Sequence, residues 1–120
     1  MPETPFNAAV QERNGVPVIA LAGDINALAE AELNAAFSHA LSRGAVTVLL
    51  NFEAVSYINS TGIALVVGLL AQAKKLRAEV LVCGLTEHYR HIFNITRLAD
   101  FMSIHDDEAT ALGEAAASQT

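Results

Sequence analysis

The sequence predicts an α/β fold: a mixed, mostly parallel sheet of four to five strands covered by about four helices. Short apolar runs of strand length alternate with longer segments of helical periodicity, which is the pattern of strand-helix-strand units. Apolar residues make up 52% of the 120 residues, a proportion typical of a compact core. We therefore expect one domain over residues 1–120, with a core at about 6–105 and a terminal helix with a frayed tail at 106–120.

The first two predicted strands form a hairpin. They cover residues 6–12 and 16–22 and are separated by the tripeptide Arg-Asn-Gly. The Asn-Gly pair favours a tight hairpin because both residue types tolerate positive φ angles. Pro17 has no amide donor, so it suits the start or the edge of a strand. The hairpin should add one antiparallel strand to an otherwise parallel sheet.

The first helix is predicted from Asn26, whose side chain can cap it, to about Arg43. Its expected buried stripe repeats every four residues and consists of Leu33, Phe37 and Leu41. Gly44 follows the predicted end, as is common for helices. The uninterrupted apolar run at 46–50 then predicts a central strand that is covered on both sides.

The second helix is predicted from near Ser60 to near Leu76. At 100° per residue its expected apolar arc comprises Ile63, Val66, Val67, Leu69, Leu70 and Ala73. The opposite side holds Ala64, Gly68, Gln72 and Lys75. The first two turns of this helix therefore present small residues and little charge on their outer side.

The rest of the chain continues the alternation. Residues 80–83 are predicted to form a strand, 86–94 a short helix and 101–105 a last strand. A terminal helix is expected from Asp106 to about Ala117, with acidic residues in its first turn, where the helix dipole favours them. Strands separated by helices in this way indicate parallel neighbours in one sheet.

Charge and composition limit the class of protein. The net charge of -6 argues against a nucleic-acid partner, since phosphate contacts need clustered Lys and Arg. The N-terminus lacks the pattern of a signal peptide. The longest run without a polar side chain, residues 62–71, is about half of a membrane span, so we expect no direct membrane insertion and a cytoplasmic location.

Few residues suggest catalysis or metal binding. Cys83 is the only cysteine, and its apolar neighbours predict a buried, unreactive thiol and no internal disulfide. His88 and His91 have no acidic or Cys partner at ligand spacing. Ser60 lacks the Gly-x-Ser-x-Gly setting of a hydrolase. We therefore expect no catalytic residue, no cofactor and no metal; a small enzyme or ligand carrier using Cys83 or the histidines is the least favoured alternative.

The polar segment 59–62, Asn-Ser-Thr-Gly, lies between two strongly apolar runs. It has two interpretations: a plain helix cap, since Asn, Ser and Thr all cap helices, or a hydroxyl presented to another molecule. Two features favour the second interpretation. A cap needs one such residue and three are present, and Ala64 and Gly68 on the outer side of the helix would let another surface approach Ser60.

Several segments resemble a known family in their order along the chain. Residues 18–26 (VIALAGDIN) look like its strand followed by Gly-x-Leu/Ile-Asp, and residues 49–63 (LLNFEAVSYINSTGI) look like its strand followed by Asp-Ser-Ser-Gly-Leu. Residues 82–85 and 92–104 follow its C-terminal pattern. From about residue 16 to 104 the sequence thus resembles the STAS domain, in particular the small bacterial anti-sigma-factor antagonists, which implies the STAS fold.

The resemblance also implies a function. Such antagonists are not enzymes; they bind an anti-sigma factor that is also a serine kinase, and thereby free a sigma factor and regulate transcription. The kinase phosphorylates the first Ser of the signature, which abolishes binding, and a phosphatase restores it. By position that residue is Ser60, with Thr61 as the second choice. Nothing in the sequence demands more than a monomer or a weak dimer.

The expected partner-binding residues combine the signature, the preceding loop and the outer face of the second helix. They are Asp24, Ile25, Asn26, Asn59, Ser60, Thr61, Gly62, Ala64 and Gly68. At two of these positions, 26 and 59, Asn stands where such antagonists usually carry Asp. Both changes keep a capping side chain and remove a negative charge. We therefore expect partner binding with altered or slower phosphorylation, or phosphorylation by a different kinase; the alternative is a non-switching interaction module, such as a stressosome-like scaffold or a soluble subunit of a transport complex.

Overall fold

A computed structural model describes residues 4–118 of the chain, with side chains for residues 4–116. The strands are β1 Asn7–Arg13, β2 Val16–Ile25, β3 Thr47–Ile58, β4 Glu79–Cys83 and β5 Ser103–His105. The helices are α1 Glu30–Leu41, α2 Ser60–Lys75, α3 Glu87–Ile95 and α4 Glu108–Ser118. Short 3-10 turns at Ala27–Ala29 and Leu98–Phe101 precede α1 and β5. Of the expected frayed tail, residues 119 and 120 lie outside the described residues.

The five strands form one sheet in the order β1-β2-β3-β4-β5. β1 is antiparallel to β2, and the other three pairs are parallel. The β1–β2 turn has positive φ at both Asn14 and Gly15, 55° and 80°, as a tight two-residue hairpin requires. The predicted fold class is confirmed, and β3 is the central strand.

The helices cover the two faces of the sheet unequally. Helices α1, α2 and α3 pack on one face, where Phe37, Leu69 and Phe93 contribute to the main core with the alternate residues of β2, β3 and β4. Helix α4 covers part of the other face through Ala111, Leu112 and Ala115. The strand residues beneath it are Val16, Val18, Leu49, Leu81 and Cys83. The alternation of side chains along a strand accounts for this division.

Element boundaries differ from the predicted ones mainly at strand ends. β2 reaches residue 25 and β3 reaches residue 58, beyond the predicted ends at 22 and 50, because the two strands keep pairing from Ala22↔Ala54 to Ile25↔Ile58. The last strand is shorter than predicted because the 3-10 turn at Leu98–Phe101 takes up its expected start. Within residues 4–118, no helix has the length and apolarity needed to cross a bilayer.

Candidate functional site

The segment after β2 and the start of α2 lie side by side. β2 and β3 are parallel and end in register, Ile25 opposite Ile58. The main-chain N–H of Asn59 donates to the carbonyl oxygen of Ile25 at 3.3 Å, and α2 begins at the next residue, Ser60. This pairing brings the two predicted parts of the site, 24–26 and 59–62, together at the carboxyl ends of β2 and β3.

Asn59 caps α2. Its Oδ1 accepts a hydrogen bond from the N–H of Gly62 at 2.8 Å, and its backbone is extended. Its carbonyl oxygen accepts from the N–H of Ile63 at 2.9 Å. Ser60 and Thr61 follow with exposed side chains. The cap interpretation therefore accounts for Asn59, while the two hydroxyl groups face outward.

The neighbouring loop is held from both sides. Asn26 caps the 3-10 turn, since its Oδ1 accepts from the N–H of Leu28 at 2.9 Å. Asp24 forms two hydrogen bonds with the main chain of Thr4. Its N–H donates to the carbonyl oxygen of Thr4 at 2.9 Å, and its carboxylate accepts from the N–H of Thr4 at 3.2 Å. The contribution of Thr4 was missed by sequence reasoning, because no local pattern links residues twenty positions apart.

Two of the predicted partner-binding residues are buried, which corrects the expectation for them. Ile25 is fully buried, at 0% exposure, and Gly62 is buried against it. A Cβ atom at residue 62 would lie 2.0 Å from the Ile25 oxygen and 2.9 Å from Cγ2 of Ile58. These residues can hold α2 against the strand ends, but their side-chain positions are not offered to a partner.

The outer face of α2 is a neutral surface that leads away from Ser60. Ala64 and Gly68 are exposed on it. Val67 was expected in the buried arc but is 46% exposed, because it lies only about 60° around the helix from Ala64. Leu28 is 83% exposed on the neighbouring turn, and the first charged residue of α2 is Lys74.

Groups with potential reactivity lie elsewhere. Cys83 is 1% exposed, and burial, together with the nearby carboxylates of Glu108, Glu53 and Asp107, raises its pKa to about 11. The thiol is therefore protonated at neutral pH and a poor nucleophile, in agreement with the prediction of a buried thiol. His88 and His91 are exposed. Among residues 4–118, no three or more His, Cys, Asp or Glu side chains cluster closely enough to hold a metal ion.

The fold and the carboxyl ends of β2 and β3 define an α/β module that presents the start of a helix to its surroundings. The chain belongs to the STAS domain family, whose model matches residues 7–111. It is 27% identical over 88 residues to the anti-sigma-B factor antagonist of Staphylococcus aureus strain NCTC 8325 / PS 47, which covers 73% of this chain and 82% of that protein. The resemblance seen in the sequence is therefore confirmed.

Solved structures show the same fold. An anti-sigma factor antagonist from Mycobacterium paratuberculosis superposes with a TM-score of 0.79 at 17% identity, covering 92% of this chain and 93% of that one. The Bacillus cell fate determinant SpoIIAA in its phosphorylated form gives a TM-score of 0.69 at 24% identity, and the alignment covers 92% of this chain and 99% of that one. At these identities the similarity establishes the architecture.

Proposed function

We propose that this chain is an anti-sigma-factor antagonist that binds an anti-sigma factor through the surface around Ser60. The observation that carries the proposal is the exposed serine hydroxyl at the start of α2, next to the small, neutral face of Ala64 and Gly68. Its relative in Staphylococcus aureus is named an anti-sigma-B factor antagonist. In this function the chain is a binding protein and catalyses no reaction.

Ser60 is the switch in this proposal. The partner, an anti-sigma factor with serine kinase activity, transfers a phosphate group from ATP to Ser60 Oγ, and a phosphatase removes it. The N–H groups at the start of α2 and the helix dipole tolerate the phosphate, so the fold is preserved. About -1.5 to -2 charges then lie in the contact surface. Burying them unpaired costs several kcal/mol, and each ~1.4 kcal/mol lowers affinity tenfold. SpoIIAA, which shares this fold, has been solved in a phosphorylated form.

The two Asn residues modify this switch without removing it. Asn26 and Asn59 use only their side-chain oxygens for capping, which Asp could do equally well. What the amides lack is a negative charge beside Ser60 that could orient its hydroxyl in a kinase site. We therefore expect partner binding to be retained, and phosphorylation to be slower or carried out by a different kinase.

A pull-down from the protein's own cells tests the proposal. Wild type, Ser60→Ala and Ser60→Asp serve as baits, with recovered proteins identified by mass spectrometry. Thr110→Asp is the matched control, because it adds one charge at an exposed residue in the first turn of α4. We expect an anti-sigma factor with wild type, Ser60→Ala and Thr110→Asp, and at least about tenfold less with Ser60→Asp.

Two other results would count against the proposal in different ways. Equal recovery of the same partner by wild type and Ser60→Asp favours the non-switching module. A bait that recovers no anti-sigma factor contradicts the proposed function itself. Phosphorylation is read separately, from an intact-mass increase of about 80 Da on protein from its own cells, mapped to a residue by fragmentation. A phosphate found only on another residue removes Ser60 as the switch.

A further inference from the structure

We propose that Tyr89 is a positioning residue for the Ser60 surface: its hydroxyl holds the end of β3 and thereby sets where α2 begins. Ser60 itself is the contact residue, so the relevance of Tyr89 to binding rests on the proposed function. The positioning role is a property of the isolated chain and can be tested without a partner.

The end of β3 has a strand on one side only. β4 ends at Cys83, which lies opposite Asn51, whereas β3 continues to Ile58 beside β2. On the side where β4 is missing, the N–H of Ile58 donates to the hydroxyl oxygen of Tyr89 at 2.8 Å in a buried setting. The hydroxyl thus occupies the place that a carbonyl oxygen of the next strand would fill.

Tyr89 is itself well fixed. It lies in the first turn of α3, where its N–H donates to Oγ1 of the capping residue Thr86 at 3.3 Å. Its side chain is buried, with 8% exposure. Tyr89 lines a small, mainly apolar cavity together with Phe52, Val55, Ile58, Leu85 and Thr86. The acceptor oxygen therefore has a defined position relative to the sheet.

Two successive main-chain groups at the end of β3 are held from opposite sides. Tyr89 accepts from Ile58, and Ile25 accepts from the N–H of Asn59. Asn59 then caps α2 directly before Ser60. Removing the phenolic oxygen leaves a buried N–H without that acceptor, which is costly and favours conformations in which the strand end moves toward water. Tyr89 thus acts on Ser60 through Ile58 and Asn59.

Amide hydrogen exchange measured by NMR on the full chain tests the proposal with Tyr89→Phe, which keeps the ring. Phe93→Leu is the control, since Phe93 is buried in the same helix and its truncation weakens the core without changing the Ile58 bond. In Tyr89→Phe we expect exchange of the Ile58 and Asn59 amides to accelerate relative to wild type. The factor of acceleration should be about tenfold larger than the factor at the central amide of Leu50. In Phe93→Leu the amides of Ile58 and Leu50 should accelerate by similar factors.

The outcomes separate clearly. Equal acceleration at Ile58 and Leu50 in Tyr89→Phe overturns the positioning role. If that variant does not fold, the wild type decides: an Ile58 amide exchanging at the rate of an unstructured peptide also overturns it, and a strongly protected one supports it. In the pull-down, Tyr89→Phe should recover less partner than Phe93→Leu at matched stability. If wild type recovers no anti-sigma factor, the proposed function fails while the exchange result still stands.

Discussion

At the scale of single residues, three residues with different roles define the proposed site. The side-chain oxygen of Asn59 accepts a hydrogen bond from the N–H of Gly62 at the start of α2. Gly62 permits close contact with the Ile25 main chain, and Ser60, which lies between Asn59 and Gly62, is exposed. Each role depends on a different property: an acceptor oxygen, the absence of a side chain, and a hydroxyl at the first helical position. Substitutions at these positions should therefore have separable effects.

Gly62→Ala should be strongly destabilising. The added Cβ would lie 2.0 Å from the Ile25 carbonyl oxygen, a main-chain atom that cannot rotate away, so α2 must shift from the strand ends. We expect the free energy of unfolding to fall by about 2 kcal/mol or more, as for other cases of overpacking. Urea unfolding monitored by circular dichroism measures this change.

Gly68→Ala provides the matched control in the same helix. A Cβ there has no neighbour within 4 Å, and Ala is a better helix former than Gly, so a gain of about 0.5–1 kcal/mol is expected. Similar losses of stability for both variants would show that the close contact at Gly62 does not constrain the fold.

Local residue chemistry explains which parts of the site could be predicted. The capping preference of Asn and the small outer face of α2 place Ser60 at an exposed helix start from sequence alone. The close packing of Gly62 against the Ile25 main chain could not be predicted this way, because it depends on two segments that are distant in the sequence. Ile25 itself is buried in the main core. The contacts of Thr4 with Asp24 and of Tyr89 with Ile58 join residues 20 and 31 positions apart, and no motif indicates them.

At the scale of elements, α2 serves two surfaces. Its inner side packs into the core through Val66, Leu69 and Ala73. Its outer side carries Ala64, Val67 and Gly68 in a partly exposed row. The lack of charge before Lys74 is not needed for the fold, because exposed helix positions tolerate charged residues. This neutral row is therefore well suited to contact another protein.

Ala64→Arg should abolish partner binding while leaving the fold intact. The long cationic side chain occupies the neutral face one turn after Ser60, so recovery of partner should fall at least about tenfold. Stability should change by less than about 0.5 kcal/mol because the position is exposed. Pull-down and urea unfolding give the two measurements.

Ala35→Arg controls for the added charge, since Ala35 is an exposed alanine on α1. It should bind like wild type. Unchanged binding by Ala64→Arg would exclude this face of α2 from the interface, and equal loss by both variants would point to a general effect of charge.

Helices and strands differ in how well the sequence predicts them. The stripe of Leu33, Phe37 and Leu41 is buried as periodicity indicates. The ends of β2 and β3 extend past their apolar runs because each provides the other's hydrogen bonds. Such pairing is a property of two segments together, so single-segment hydrophobicity underestimates the strands. This matters for the proposed function, because the proposed site lies at the ends of these two extensions.

At the scale of the whole molecule, the second face of the sheet has one described helix over it. α4 covers Cys83 with Ala111, Leu112 and Ala115, while its first turn brings Glu108 near that thiol. The thiol thus lies in an apolar layer bordered by carboxylates. Both features favour its neutral form.

Cys83 should make stability fall at high pH. Its pKa is about 11 in the folded chain against an ordinary value of 9.0. Between these values the unfolded chain has lost the thiol proton and the folded chain retains it, so the free energy of unfolding decreases as pH rises. Over this window the loss approaches about 3 kcal/mol. Urea unfolding at steps of pH from 8 to about 11 measures the slope.

Cys83→Ala separates this effect from other groups that titrate at high pH. Its absolute stability will differ from wild type, but only the two slopes are compared. The variant should show the smaller decline above pH 9, and in wild type the thiol should react with iodoacetamide only slowly until the chain unfolds. Parallel stability curves for the two proteins would mean that the thiol titrates alike in both states, and hence that α4 does not exclude water from this face of the sheet.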